Sequence, residues 1–352
     1  RVVSGQHGMD LVIRGPKNQP GDARVAPPEP SSEAAPCRPP VGRGGGMSGS
    51  ILVTGANGLV GYALAQRLAA EGRDVVGMDL VVPKGAAFPV VAADVNDVHA
   101  LYRVLKTHGV ETIAHFGGIS GPMVANDRPH HVFTVNVQGT MTLCAAAAGF
   151  GVRRVLFASS RAAYGPQPVD RLVTEAAPLN AYDPYGASKV AGEAIMRGYV
   201  AGERFEGTSL RLGTVYGPRR TTDCLVRDML SDALRGAPTR LPHGGDAMRE
   251  YIHVDDIVEG VVCALFAETL PRHAYNIGPG GHRTLREIAD IVRQVLPAAD
   301  IEIGAGPFPG EDAKGPIACE AAATDLGFAA RIGLAEGFAS YAEWLKRQAA
   351  VA

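Results

Sequence analysis

None of the five cysteines (Cys37, Cys144, Cys224, Cys263, Cys319) stands in a C-x-x-C pair or joins histidines at ligand spacing. That absence argues against a structural metal, and an odd, scattered set reads as buried thiols in a reducing compartment. The pair His130–His131 has no carboxylate or cysteine at ligand spacing beside it and reads as the start of a helix. No apolar run approaches the ~20 residues that span a bilayer. Nor is there an excess of either charge: 34 basic against 36 acidic residues leave no footprint for nucleic acid or an anionic membrane. A secretory h-region and internal repeats are also lacking. The expectation is a cytoplasmic protein that binds no metal, membrane or nucleic acid.

What is present divides into two parts. Residues 1–46 contain PPEPSSEAAPCRPPVGRGGG, a tract with too little apolar surface to offset the entropy of ordering it. This stretch is expected to be a disordered extension upstream of the fold, with a regulatory tail as the alternative. Met47 stands just before the first strand-like run. In the whole chain of 352 residues, 46% are hydrophobic, enough for a sizeable core.

From Ser50 onward, short Val/Ile/Leu runs alternate with helical patterns. The runs are ILVTG (51–55), DVVGMD (74–79), FPVVAAD (88–94), TIAHFGG (112–118), RVLFASS (154–160), TSLRLG (208–213) and AYNIG (274–278). Val60, Leu64 and Leu68 make the stripe of a first helix. Others are expected over Val98–His108, His131–Ala148, Pro184–Tyr199, Asp223–Leu234 and Asp255–Leu265. Strands apolar on both faces, separated by crossover helices, predict an α/β fold with a parallel doubly wound sheet.

TGANGLVG (54–61) lies between the first strand and first helix. Gly55 suits the tight turn, Gly58 a close approach of backbone to pyrophosphate, and Gly61 the packing of helix on strand. Asn57 and Leu59 complete a loop whose helix N-terminus faces the phosphates. Asp79 closes the second strand, 24 residues after Gly55. A carboxylate there accepts from the adenosine ribose hydroxyls and repels a 2′-phosphate, predicting NAD over NADP. Asp94 and Val95, at the end of the third strand, are placed beside the adenine.

The glycine spacing, together with later landmarks, resembles the extended short-chain dehydrogenase/reductase family, also called the NAD-dependent epimerase/dehydratase family. HFGG (115–118) is similar to its fourth-strand motif, which implies cofactor contacts from Phe116, Gly117 and Gly118. Asn136 in TVNVQGT matches its helix asparagine, a cofactor-site residue that in the family also ties strand to helix. SSRAAYG (159–165) resembles its Ser/Thr strand, YGASK (185–189) its tyrosine and lysine, and RLGTVYGP (211–218) and REYIHVDD (249–256) its later motifs. The resemblance implies a Rossmann domain with a smaller C-terminal substrate domain. It also implies catalysis by Ser160, Tyr185 and Lys189. Pro184 suits a first helical position and Asp183 an N-cap, so Tyr185 and Lys189 share one helix face. A free phenol, with pKa ~10, is a poor base. A neighbouring ammonium and a positive nicotinamide both favour phenolate. Lys189 would also hold the nicotinamide ribose, and Ser160 the reacting oxygen.

Three reactions share this chemistry. Dehydratases of the family follow the strand-end hydroxyl with an Asp–Glu pair. Here Arg161 and Ala162 follow it, which disfavours elimination. Nucleotide-sugar epimerases, such as UDP-galactose 4-epimerase, place a diphosphate-binding arginine where Arg249 stands. Against that reading, Thr214 replaces their usual asparagine, and PFPGEDAKG (307–315) is read as lacking the basic residue they usually place in that loop. HFGGIS with LRLGT, Arg219 and Arg220 is similar to uronate dehydrogenase, a sugar-acid enzyme that releases NADH, though such enzymes are shorter. The epimerase is the favoured reading and the dehydrogenase its alternative. Substrate contacts are expected from Ser120, Ser160, Arg161, Thr214, Arg219 and Arg249. The domains are expected at 47–216 plus 249–278 (NAD-binding) and 217–248 plus 279–352 (substrate-binding). Small-residue faces on helices 131–148 and 184–200 suggest a homodimer.

Overall fold

The structure, a computed structural model, describes residues 49–351; the extension expected over 1–46 lies outside them. Six strands come first in chain order: β1 (Ser50–Thr54), β2 (Val75–Asp79), β3 (Val90–Ala92), β4 (Val110–His115), β5 (Arg154–Ser160) and β6 (Glu206–Leu212). Four short strands follow, β7 (Thr214–Tyr216), β8 (Thr239–Leu241), β9 (Met248–Arg249) and β10 (Tyr251–His253). The last three are β11 (Ala274–Ile277), β12 (Arg283–Thr284) and β13 (Ile301–Ile303). Seven of them form one sheet in the order β11-β6-β5-β4-β1-β2-β3. Every pairing in it is parallel. This is the doubly wound α/β architecture that the alternating runs predict.

The helices cover both faces of the sheet. α1 (Leu59–Ala70) and α7 (Val254–Phe266) lie on one, and α2 (Val98–His108), α4 (Gly139–Gly149) and α5 (Pro184–Ala201) on the other. Strands buried on both sides account for the uninterrupted apolar runs. Leu64 and Leu68 of α1 are fully buried with Ile51, Val53 and Val261, each worth ~1.5–3 kcal/mol relative to exposure. Leu52, Ile113, Val155 and Leu143 fill the opposite face.

The helix expected over 131–148 is one continuous rod with a defect. α3 (Pro129–Phe133) begins it, with Pro129 in its first turn and His130 and His131 just after. A π-helical stretch, Thr134–Gln138, then leads into α4. A π-bulge pushes one residue out of regular register, and here that residue set includes Asn136.

The C-terminal part adds α6 (Leu225–Arg235), α8 (Leu285–Val295), α9 (Glu320–Leu326) and α10 (Leu334–Val351). A second core of Met229, Leu230, Ile288, Val292, Phe338 and Tyr341 joins α6, α8 and α10. Ala322 and Leu326 of α9, with Phe328, pack instead on the core under the main sheet, so the stretch 279–352 serves both cores. Among the described residues, no helix is long and apolar enough to cross a membrane.

Candidate active site

Strand order turns back between β1 and β4, and in such sheets ligands bind outside the carboxyl ends of the strands at that point. Thr54 pairs with His115 there, and the chain leaves both strands in glycine-rich loops. Gly55 has φ +70°, and a Cβ on it would sit 2.6 Å from the Phe116 carbonyl. A Cβ on Gly61 would strike the Gly55 carbonyl oxygen, so helix and loop touch backbone to backbone. Gly58 is the N-cap of α1 and supplies no side-chain cap, which leaves the first-turn N–H groups facing an anion site. Asp79 ends β2 with its carboxylate accepting from Asn57 N at 3.0 Å and Val81 N at 3.2 Å. A phosphate-sized cradle with a carboxylate at its ribose end fits NAD.

Two expected cofactor residues have other partners. Asp94 lies two residues past β3, exposed, and accepts from Asn96 N at 2.9 Å in an Asx turn. Asn136 is saturated by the protein: Oδ1 accepts from Ile119 N at 2.8 Å, while Nδ2 donates to Ile119 O at 3.1 Å and Ser188 Oγ at 2.9 Å. It ties the loop after β4 to α5. Val95 packs close to Gly117 and Gly139, where an added Cβ would meet it at 2.9 and 2.7 Å.

A network that sequence reasoning missed runs beneath this loop. Gly117 N donates to Thr54 Oγ1 at 3.0 Å, which lies 2.7 Å from His115 Nδ1. His115 Nε2 lies 3.3 Å from Thr140 Oγ1, whose proton goes to Asn136 O at 2.6 Å. Thr140 therefore accepts from Nε2–H, and Thr54 donates to Nδ1. Burial depresses His115 to about 3, so the ring stays neutral and holds that tautomer.

Asp183 caps α5, accepting from Gly186 N at 2.9 Å, and Pro184 takes the first turn. Tyr185 and Lys189 consequently enter the site side by side, with Nζ 5.6 Å from the Tyr185 ring centroid. The ammonium donates to Ala158 O at 2.8 Å, and burial lowers it to about 8. Burial pushes the Tyr185 phenol up, while hydrogen bonds to Ser160 and Ser120 pull it back. Ser160 ends β5 and caps the short helix that follows, accepting from Ala162 N at 3.1 Å. A phenol and two hydroxyls thus meet at one point, with the ammonium beside the phenol's ring.

Beyond that point lies a cleft of about 240 Å³ lined by Arg161, Thr214, Arg220, Arg249 and Lys314, with Glu250 and Glu311 among them. Arg161 pairs with buried Glu250 at 2.8 Å and donates to Gly315 O at 2.7 Å. Burial still raises Glu250 to about 7 against that guanidinium. Arg249 pairs with Glu311 at 2.8 Å. Lys314, the last residue but one of PFPGEDAKG, corrects the expectation of a loop without the basic residue, since it lines the cleft. The segment is held by Gln167 N to Ala313 O at 2.8 Å and by the Tyr182–Asp312 hydrogen bond. Arg220, not singled out as a contact, also reaches the cleft.

Arg219 is the one expected substrate-side arginine that does not line the cleft. Its backbone takes φ +71°, which costs a non-glycine residue roughly 1–2 kcal/mol. The turn sends its side chain to the glycine loop, where Nη2 donates to Asn57 Oδ1 at 2.8 Å and Cζ lies 3.8 Å from the Tyr62 ring centroid.

Comparison with known proteins gives a consistent picture. The model of the NAD dependent epimerase/dehydratase family matches residues 51–278. The UDP-glucose 4-epimerase of Streptomyces lividans is 32% identical over 272 residues, 71% of this chain and 82% of that protein. That of Mycolicibacterium smegmatis is 31% identical over 310 residues, 84% of this chain and 98% of that protein. The solved Thermus thermophilus UDP-glucose 4-epimerase in complex with NAD has a TM-score of 0.75 at 27% identity, covering 84% of this chain and 99% of that one.

Proposed function

The chain belongs to the NAD dependent epimerase/dehydratase family, and from that premise we propose that it epimerises a nucleotide sugar by transient oxidation of a ring hydroxyl. The observation that carries the reading is a cleft of about 240 Å³ where Arg161, Arg220, Arg249 and Lys314 converge, interleaved with Asp223, Asp228, Glu250 and Glu311. Several cations in one cleft suit a diphosphate, whereas a free sugar acid needs one guanidinium. The relatives named above are UDP-glucose 4-epimerases, so a UDP-hexose is the first substrate to try. The same chemistry on a free sugar acid would release NADH; that is the weaker reading, because the chain has a C-terminal core, of which Cys224, Leu225 and Tyr251 also line the cleft.

NAD, when bound, supplies the hydride acceptor and donor, and its oxidised ring adds a positive charge that favours phenolate. Gly55, Gly58 and Gly61 would give backbone room for it, Asp79 would accept from its ribose hydroxyls, and Lys189 would hold the nicotinamide end. Tyr185 takes the proton of the sugar hydroxyl and later returns it. Ser160 and Ser120 hold the oxygen as it passes between alcohol and ketone. Arg249 releases Glu311 in favour of the incoming diphosphate. The partition at 47–216 plus 249–278 and 217–248 plus 279–352 belongs to this reading, with α9 as the part of the last stretch that packs on the cofactor side's core.

The deciding experiment supplies excess NAD with UDP-glucose, UDP-galactose and a panel of free sugar acids. Conversion of one UDP-sugar to its epimer without net absorbance at 340 nm is the expected outcome. NADH accumulating with a sugar acid would transfer the site to the dehydrogenase reading. Cofactor choice has its own check: Asp79→Ala should narrow the preference for NAD over NADP by about tenfold, equivalent to ~1.4 kcal/mol. An unchanged ratio of dissociation constants removes Asp79 from ribose recognition.

Two chains are proposed to pair through α4 and α5. Met141, 47% exposed, stands with Ile195 and Tyr199 around a surface groove on this face, and Gly198 and Gly202 let another backbone approach. Sedimentation should give twice the chain mass, with Met141→Lys shifting it to one; a wild-type monomer disposes of the pairing.

A further inference from the structure

We propose that Arg219 fastens the dinucleotide in its cleft, gripping the pyrophosphate from the substrate side, and that its grip tightens when the neighbouring pocket is filled. The second half rests on the epimerase reading; the first needs only that NAD binds at the glycine loop.

Arg219 lies 162 residues from Asn57 in the chain, yet its guanidinium spans the first turn of α1, bonded to Asn57 at one side and stacked over Tyr62 at the other. Two of its nitrogens have different fates. Nη2 donates to Asn57, while Nε is buried without a hydrogen-bond partner. A guanidinium has five N–H donors, and an unsatisfied one buried beside phosphate-binding backbone asks for an anion. The stack on Tyr62 fixes the plane, which suits a bidentate grip on phosphate oxygens. Near the loop Asp79 contributes negative charge, accepting from Asn57 N. The guanidinium balances it where a doubly negative pyrophosphate must sit.

The neighbouring residue does the opposite. Arg220 turns into the cleft, donating to Val215 O and, at 2.8 Å, to Asp223 O. One backbone segment therefore presents a cation to each ligand, and the turn between them is held at φ +136° for Gly217 and φ +71° for Arg219. Immobilising Arg220 on a substrate phosphate stiffens the segment that carries Arg219. An epimerase must return its hydride to the same sugar, so the reduced cofactor has to stay until the ketone is consumed. A dehydrogenase gains nothing from such a strap.

The test uses the full chain with NAD bound, as wild type, Arg219→Gln and Arg219→Lys. Bound NAD is measured by acid extraction after gel filtration, and NADH dissociation by stopped-flow fluorescence, with and without UDP. Wild type is expected to keep its NAD. Arg219→Gln should lose it, with dissociation faster by about 10- to 100-fold, and Arg219→Lys should fall between, retaining charge without the planar stack. UDP should slow dissociation in wild type and leave Arg219→Gln unaffected, while the UDP affinity and melting temperature of the NAD-free proteins stay the same. An Arg219→Gln protein that holds NAD as wild type does overturns the proposal. If that variant does not fold, a wild-type dissociation rate in Arg219→Lys overturns it instead. UDP without effect on wild type removes the coupling. Net NADH production by wild type would defeat the epimerase reading and leave the retention result standing.

Discussion

Tyr185→Phe should lower kcat by about 10²–10⁴-fold, the usual contribution of a positioned acid–base group, while NAD binding and the fold survive. The ring is 8% exposed and packed at the start of α5, and phenylalanine keeps that packing. Only the oxygen that meets Ser160 and Ser120 is lost. The neighbours left behind are hydroxyls, which turn to other partners at a cost of roughly 1 kcal/mol. Bound NAD and the melting temperature should therefore change little. A fall in turnover matched by an equal loss of NAD would mean that the phenol is structural. Retention of more than a tenth of wild-type kcat would remove Tyr185 from proton transfer altogether. Wild-type kcat for the oxidative half-reaction should also rise with pH until the phenol is ionised, because burial pushes the phenol up and so holds its proton. The variant's residual rate should lack that limb.

Arg211→Leu should produce the largest loss of stability, about 3–5 kcal/mol, the effect of leaving one half of a buried ion pair alone. Arg211 and Glu193 meet bidentately, Nε to Oε1 at 2.9 Å and Nη2 to Oε2 at 2.7 Å, with side chains 5% and 2% exposed. Arg211 also donates to Tyr164 OH at 2.9 Å and Glu175 O at 3.0 Å, and Tyr164 OH donates to Asn276 Oδ1 at 2.7 Å. Glu193 in turn accepts from Ser159 Oγ at 2.5 Å, beside the reacting Ser160. Without the guanidinium, Glu193 becomes an uncompensated buried carboxylate one helical turn from Lys189. Urea unfolding measures the loss. Glu193→Met combined with Arg211→Leu should be more stable than Arg211→Leu alone, since no charge is then stranded. If the double change is the sum of the singles, the two side chains do not depend on each other and the pair is not what holds β5, β6 and α5 together.

Much of this was legible because the motifs sit at chain positions where geometry leaves few choices. The helix Val98–His108 and strand Arg154–Ser160 fall where periodicity and β-branched runs place them. The α5 start follows from Asp183 and Pro184. Thr284 and Glu287 form a capping box that marks the start of α8, a signal that lies beyond the last of the alternating runs. Other features depend on backbone states that residue types do not announce. Arg219 and Arg220 are adjacent and chemically alike, and only a left-handed turn sends one to the glycine loop and the other to the cleft. The role of His115 depends on Thr54 and Thr140, brought to it from elements far apart in sequence. Lys314 stands inside PFPGEDAKG itself, but a loose likeness to the family's loop does not tell which of its residues enters the cleft.

The π-helical stretch Thr134–Gln138 makes this site sensitive to chain length as well as composition. The bulge absorbs one residue more than a regular turn holds, so removing a single amino acid there would let the rod relax to regular winding with its flanks in place and its own side chains redirected. Asn136 would then point away from Ile119 and Ser188, and the hinge between sheet and reactive helix would come apart though every reacting group remained. A substitution that spares Asn136 keeps the bulge; an in-frame loss of one codon does not.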